Sequence, residues 1–153
     1  ACIMPFSDFL SPDILKKLAD ASIEKGNVYR IEMDESNGIT PKHLGDTSRH
    51  KYFIVLGFDN DGNVYGGVIM NSEINKFMPQ AIVSLQIPIQ RIRYPFLRHD
   101  SYVNCAEIKE VNISKFSEWA FLGKIEGIDF DIICETVRKS PVMTKANLQR
   151  FGL

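Results

Sequence analysis

The residue types best suited to hold a phosphate and move protons gather in one short run, Ser48-Arg49-His50-Lys51. A guanidinium donates two hydrogen bonds to a phosphate, and an imidazole takes or gives a proton near neutral pH. The run stands where a long polar stretch meets an apolar one, which would hold these side chains at the rim of a sheet. A solvated strand start is the plain alternative. Asn71-Ser72 closes the next expected strand and should lie in the same sheet, although amide and hydroxyl groups there also form turns. A second basic stretch, Arg91-Ile92-Arg93-Tyr94-Pro95-Phe96-Leu97-Arg98-His99, sets Arg91, Arg93 and Arg98 among apolar and aromatic residues. Such a surface pairs with phosphates and stacks bases. It suits equally a loop pinned to the body by Tyr94 and Phe96.

Other chemistries find less support. Cys105, with His99 as a potential base, could form a thiolate nucleophile. It follows Tyr102 and Val103 in an expected strand, and a buried small hydrophobe fits it better. Asp59-Asn60-Asp61-Gly62 looks like the start of a calcium loop, but Val64 and Met70 stand where such a loop needs glycine and glutamate. It is read as a hairpin turn. The three cysteines and three histidines are scattered, so no zinc pattern exists, and phosphate-loop and dinucleotide fingerprints are absent. No metal and no cofactor is expected.

The elements that would position these groups follow from periodicity. Ser11-Pro12-Asp13 supplies a helix N-cap, and Ile14, Leu15 and Leu18 keep one face up to Gly26, which predicts an N-terminal helix over 11–26. Val28 to Met33 alternates as a half-buried strand. Asp34 to Arg49 is a long polar loop. Tyr52 to Phe58 is a continuous apolar run, the mark of a central strand. The hairpin turn then leads into a strand from Asn63 to Asn71. Gly66-Gly67 inside it mark a bulge or a close backbone approach. Further strands are expected at Ile82 to Ile87, Tyr102 to Cys105, Glu107 to Ile113 and Phe121 to Ile125. Phe130 to Lys139 is a helix stopped by Pro141, and Thr144 caps a last helix ending at Gly152. The expectation is a single α+β domain over 1–153, with a β-barrel core over 27–126 and C-terminal helices over 127–153.

Composition sets the outer limits. A chain of 153 residues, 44% hydrophobic and 24% charged, suits one globular domain and excludes wholesale disorder, collagen and coiled coil. No apolar run approaches the roughly 20 residues of a spanning helix, and without a basic stretch followed by an apolar one at its start no secretory signal is expected. An odd number of unrelated cysteines reads as reduced thiols in a cytoplasmic protein. The formal net charge of -1 means that any polyanion must meet a local patch.

In segment order, roughly from Gly26 to Lys139, the chain resembles the MazF/PemK-like toxins of bacterial toxin–antitoxin pairs. Lys25-Gly26-Asn27-Val28-Tyr29 is similar to the family's opening glycine and strand. Arg49-His50-Lys51-Tyr52-Phe53-Ile54-Val55-Leu56 is similar to its basic residue and second strand, although Tyr52 stands where the family usually has proline. Asp100 to Val111 is similar to its later strand pair. The resemblance implies an SH3-like barrel, usually a homodimer, that cleaves single-stranded RNA without metal and is neutralised by a cognate antitoxin. RNA supplies its own 2′-hydroxyl nucleophile, so the protein need only shuttle protons and stabilise charge. By the resemblance Arg49, or Lys51 in a shifted register, stabilises that charge, and Ser72 orients the phosphate. His50 is a candidate base from its local chemistry alone. Lys51, Asn71, Arg91, Arg93 and Arg98 are the candidate RNA contacts. A non-catalytic SH3-like module that holds a peptide or RNA is the alternative.

Overall fold

Alternation decides which side of each strand is buried, and here the central strands bury both. The computed structural model describes residues 23–41, 43 and 45–153. Its strands are β1 (Asn27–Asp34), β2 (Ser48–Phe58), β3 (Val64–Asn71), β4 (Gln86–Ile89), β5 (Ser101–Asn104), β6 (Lys109–Asn112) and β7 (Phe121–Lys124). They form one antiparallel sheet in the order β4-β5-β3-β2-β1-β7, with β6 also paired to β3. Among the described residues three α-helices accompany it: α1 (Gln80–Val83), α2 (Ile128–Arg138) and α3 (Lys145–Arg150). The α+β class is as expected. The helix expected over 11–26 lies outside the described residues up to Ser22. From Ile23 to Gly26 the chain is irregular and then turns.

Val28, Ile54, Leu56, Val68, Met70 and Val103 point to one face, where Ile133, Cys134 and Val137 of α2 and Phe151 after α3 cover them. Tyr29, Ile31, Met33, Phe53, Val55, Tyr65, Ile69 and Val111 fill the other. Val111 belongs to β6, separated from β1 by β3 and β2, so its packing in one cluster with Ile31 and Met33 requires the sheet to curl. Side chains bridge the curl. The buried Asn37 donates to Glu110 O at 2.8 Å, and Lys109 Nζ donates to Gly38 O at 3.0 Å. Lys115 Nζ donates to Glu32 O, Asp34 Oδ2 and Asn37 Oδ1. No backbone ladder closes the ring among the described residues, and β4 and β7 remain its two ends.

Two expectations are corrected. The strand expected from Ile82 to Ile87 begins only at Gln86, because Pro79 presets a single helical turn in which Ile82 and Val83 N–H donate to Pro79 O. A short apolar run does not by itself separate strand from helix. β2 starts at Ser48 rather than Tyr52, so the basic run lies inside the strand, paired with Ile31 to Asp34 of β1. The glycine pair behaves as expected. The register slips between Val55 and Gly57, and Phe151 lies so close that a Cβ on Gly66 would sit 2.5 Å from its ring. No helix among the described residues is long and apolar enough to cross a membrane.

Candidate functional site

Cross-strand pairing builds a floor for the site. Arg30 of β1 pairs with Tyr52 of β2, Tyr52 with Met70 of β3, and Met70 with Val103 of β5. Directly paired residues share a face, and the next residues on that face lie two positions along. In the neighbouring row Glu32 pairs with His50, and the same register carried on aligns Ser72, just past the end of β3, and Ser101. Arg30, Tyr52 and Met70 from the first row, and His50, Ser72 and Ser101 from the second, line one cleft of about 190 Å³. Arg98 and His99 join them from the segment before β5, and Lys51 and Asn71 complete the lining.

The chemistry of that lining is one-sided. It holds two guanidinium groups, an ammonium, two imidazoles, two serine hydroxyls, a phenol and an amide, and no carboxylate. The nearest acids are engaged elsewhere. Glu32 Oε1 accepts from Ser48 Oγ at 2.5 Å, and Asp100 Oδ1 accepts the Arg91 backbone N–H at 2.8 Å. Among the described residues the side chains of Arg30, His50 and Arg98 are exposed and make no hydrogen bond or ion pair. Lys51 Nζ donates to Asn71 Oδ1 at 2.6 Å. A concave surface with this donor set accepts an anion and offers it acid–base groups within the same space.

The sequence candidates divide accordingly. His50, Ser72, Lys51, Asn71 and Arg98 are brought together. Arg49 is not among the lining residues. Alternation turns both Arg49, across from Met33, and Lys51, across from Ile31, to the face opposite His50, but Lys51 stands one residue pair nearer the cleft and lines it beside Asn71. Of the two registers open for the basic residue, only Lys51 reaches the cleft. Arg93 is tied down, its guanidinium 2.9 Å from Asp129 at the start of α2 and 5.8 Å above the Tyr94 ring. The Tyr94 hydroxyl donates to the same carboxylate. Burial, together with that carboxylate, pushes the Tyr94 hydroxyl up to about 12. Tyr94 and Phe96 pack on the core and Leu97 is buried, so the middle of this basic stretch is a pinned loop. Arg91 and Arg98, outside that middle, keep exposed side chains.

Arg30, His99 and Ser101 were not singled out for this site from the sequence. Arg30 reads as one polar residue of an alternating strand, and His99 as a potential base for Cys105 and the last residue of the second basic stretch. The signal that could have found them is register: Arg30 alternates to the same face as Glu32, the residue opposite His50. Cys105 itself is fully buried, and desolvation pushes its thiol up to about 12, so it is no nucleophile. Among the described residues no group of His, Cys, Asp and Glu could hold a metal ion. No model of a known protein family matches the chain, and no curated protein does.

Proposed function

We propose that the chain is a metal-independent endoribonuclease that cleaves single-stranded RNA by activating the RNA's own 2′-hydroxyl, as the toxin of a toxin–antitoxin pair. The observation that carries this reading is the cleft lined by guanidinium, imidazole and hydroxyl groups with no carboxylate to repel a phosphodiester or draw a divalent cation. In this reading Ser72 orients the scissile phosphate, and Arg30 and Arg98 take the charge-stabilising role that the family resemblance gave to Arg49. His50 removes the 2′-hydroxyl proton. Lys51 and Asn71 hold the strand ends and contact the backbone, and Arg91 extends the track. The curled sheet, bridged by Asn37, Lys109 and Lys115, supports an open version of the SH3-like barrel. A cognate antitoxin and a homodimer belong to the same proposal.

The position of Arg49 away from the cleft favours a second reading, a module that binds RNA without reacting. Unstructured RNA incubated with the protein in EDTA separates the two. Cutting that falls with Ser72→Ala supports the nuclease. Binding that responds to Arg30→Ala, with no cutting by the wild type, supports the module.

A further inference from the structure

The nuclease reading leaves one reactive side chain of the cleft without work. His99 lines it together with His50 and Ser72 but comes from a different segment. We propose that His99 is the second proton-transfer group of this site, acting together with His50. The inference rests on the nuclease reading.

Register supplies the spacing. Carrying the pairs Tyr52–Met70 and Met70–Val103 two residues on aligns His50, Ser72 just past the end of β3, and Ser101, and with adjacent strands about 4.8 Å apart that register sets His50 and Ser101 roughly 10 Å apart. His99 is held beside Ser101, with its Nδ1 3.4 Å from Ser101 Oγ and 3.1 Å from Asp100 O. A carbonyl oxygen only accepts, so Nδ1 carries a proton toward Asp100 and Nε2 is the atom left to exchange one. Two imidazoles from different segments that line one cleft with a serine fit the two proton transfers that RNA cleavage requires. The charged groups around His50 are Glu32 and Arg30 of β1 and Lys51 of its own strand. Around His99 they are Arg98 and Asp100.

The step balances without a co-reactant. His50 takes the 2′-hydroxyl proton as O2′ attacks phosphorus. The O2′–P bond forms, the P–O5′ bond breaks, and His99 gives its Nε2 proton to the departing O5′. The products are a 2′,3′-cyclic phosphate and a 5′-hydroxyl, and the imidazoles return to their starting states through solvent.

The test compares an RNA whose cut site has been mapped with the wild type and the same RNA carrying sulfur in place of that bridging 5′ oxygen. A thiolate leaves without a proton, so it needs no acid. His99→Ala is expected to slow cleavage of the oxygen RNA roughly 100-fold or more. The same variant should cut the sulfur RNA at close to the wild-type rate. His50→Ala should slow both. Circular dichroism and His99→Gln guard against a folding defect. A His99→Ala protein that is normal on both RNAs, or slow on both, overturns the pair while leaving the nuclease reading standing. A wild type that cuts neither RNA overturns that reading and the pair with it.

Discussion

Phe151 is 1% exposed, yet it lies beyond the last helix and close to the end of the chain. Its ring fills the space above Gly66, where an added Cβ would come within 2.5 Å of it, and its carbonyl oxygen would meet a Cβ on Gly57 at 1.9 Å. The ring therefore fastens α3 to the bulged part of the β2–β3 ladder. Phe151→Ala removes a fully buried ring and leaves a cavity, a change that costs about 3–5 kcal/mol in a core. Since the last turn can partly collapse into the space, about 3 kcal/mol is expected. For a domain of this size that lowers Tm by about 10 °C. Gly66→Ala alone overpacks the same contact and costs about 1–3 kcal/mol. Together the two changes fit each other, because the new methyl enters the space the ring has left. Urea denaturation of the single and double variants should give a coupling of about 1–2 kcal/mol, with the double variant more stable than the sum of the singles. Strict additivity, or a Phe151→Ala cost below about 1 kcal/mol, would refute the packing argument.

Other consequences can be checked with equal economy. Asn37→Ala removes the amide that donates to Glu110 O and the oxygen that accepts from Lys115 and the Asp34 N–H. It should cost about 1–2 kcal/mol in urea denaturation, since a buried amide and its bonds to partly buried partners are lost; a loss within 0.5 kcal/mol, about the size of an ordinary surface change, would show that these bridges do not hold the curl. Cys105 should stay unmodified by iodoacetamide at pH 8 in the native protein and react on unfolding, read by peptide mass spectrometry. Because its thiol is raised from an ordinary 9.0 to about 12, the unfolded chain loses that proton first as pH climbs. The contribution to stability is thus flat below about pH 9 and falls above it by about 1.4 kcal/mol per pH unit. Native labelling at pH 8 would contradict the burial of this thiol.

Much of the scaffold was legible because its signals are local. Tyr52 to Phe58 is apolar on both faces, and Phe53 to Gly57 of β2 are buried on both. Asp59 to Gly62 turns as its residues dictate, and Thr144 caps α3 by accepting from the Asn147 N–H at 3.1 Å. The glycine pair announced a close approach, though nothing local could say that Phe151 would make it. Pro79 and the apolar run after it could have been strand or helix, and only the hydrogen bonds of the turn decide. The site was half legible. Residue type nominated His50 and Ser72, but the face on which a side chain emerges depends on register, which is a property of pairs of strands. Arg49 and Arg30 changed places for that reason. β2 begins at Ser48, alternation turns Arg49 away from His50, and Arg30 lies across from Tyr52 on the cleft's floor.

The exchange of those two arginines is also the most direct test of the account. Cleavage of an unstructured RNA in EDTA should be compared for the wild type, Arg30→Ala and Arg49→Ala, with the new ends identified by mass spectrometry. The account predicts 2′,3′-cyclic phosphate and 5′-hydroxyl ends from the wild type. It also predicts a loss of roughly 100-fold with Arg30→Ala, as for removal of one charge-stabilising donor. The rate with Arg49→Ala should stay near that of the wild type. An inert wild type, or a protein disabled by Arg49→Ala and indifferent to Arg30→Ala, would contradict it.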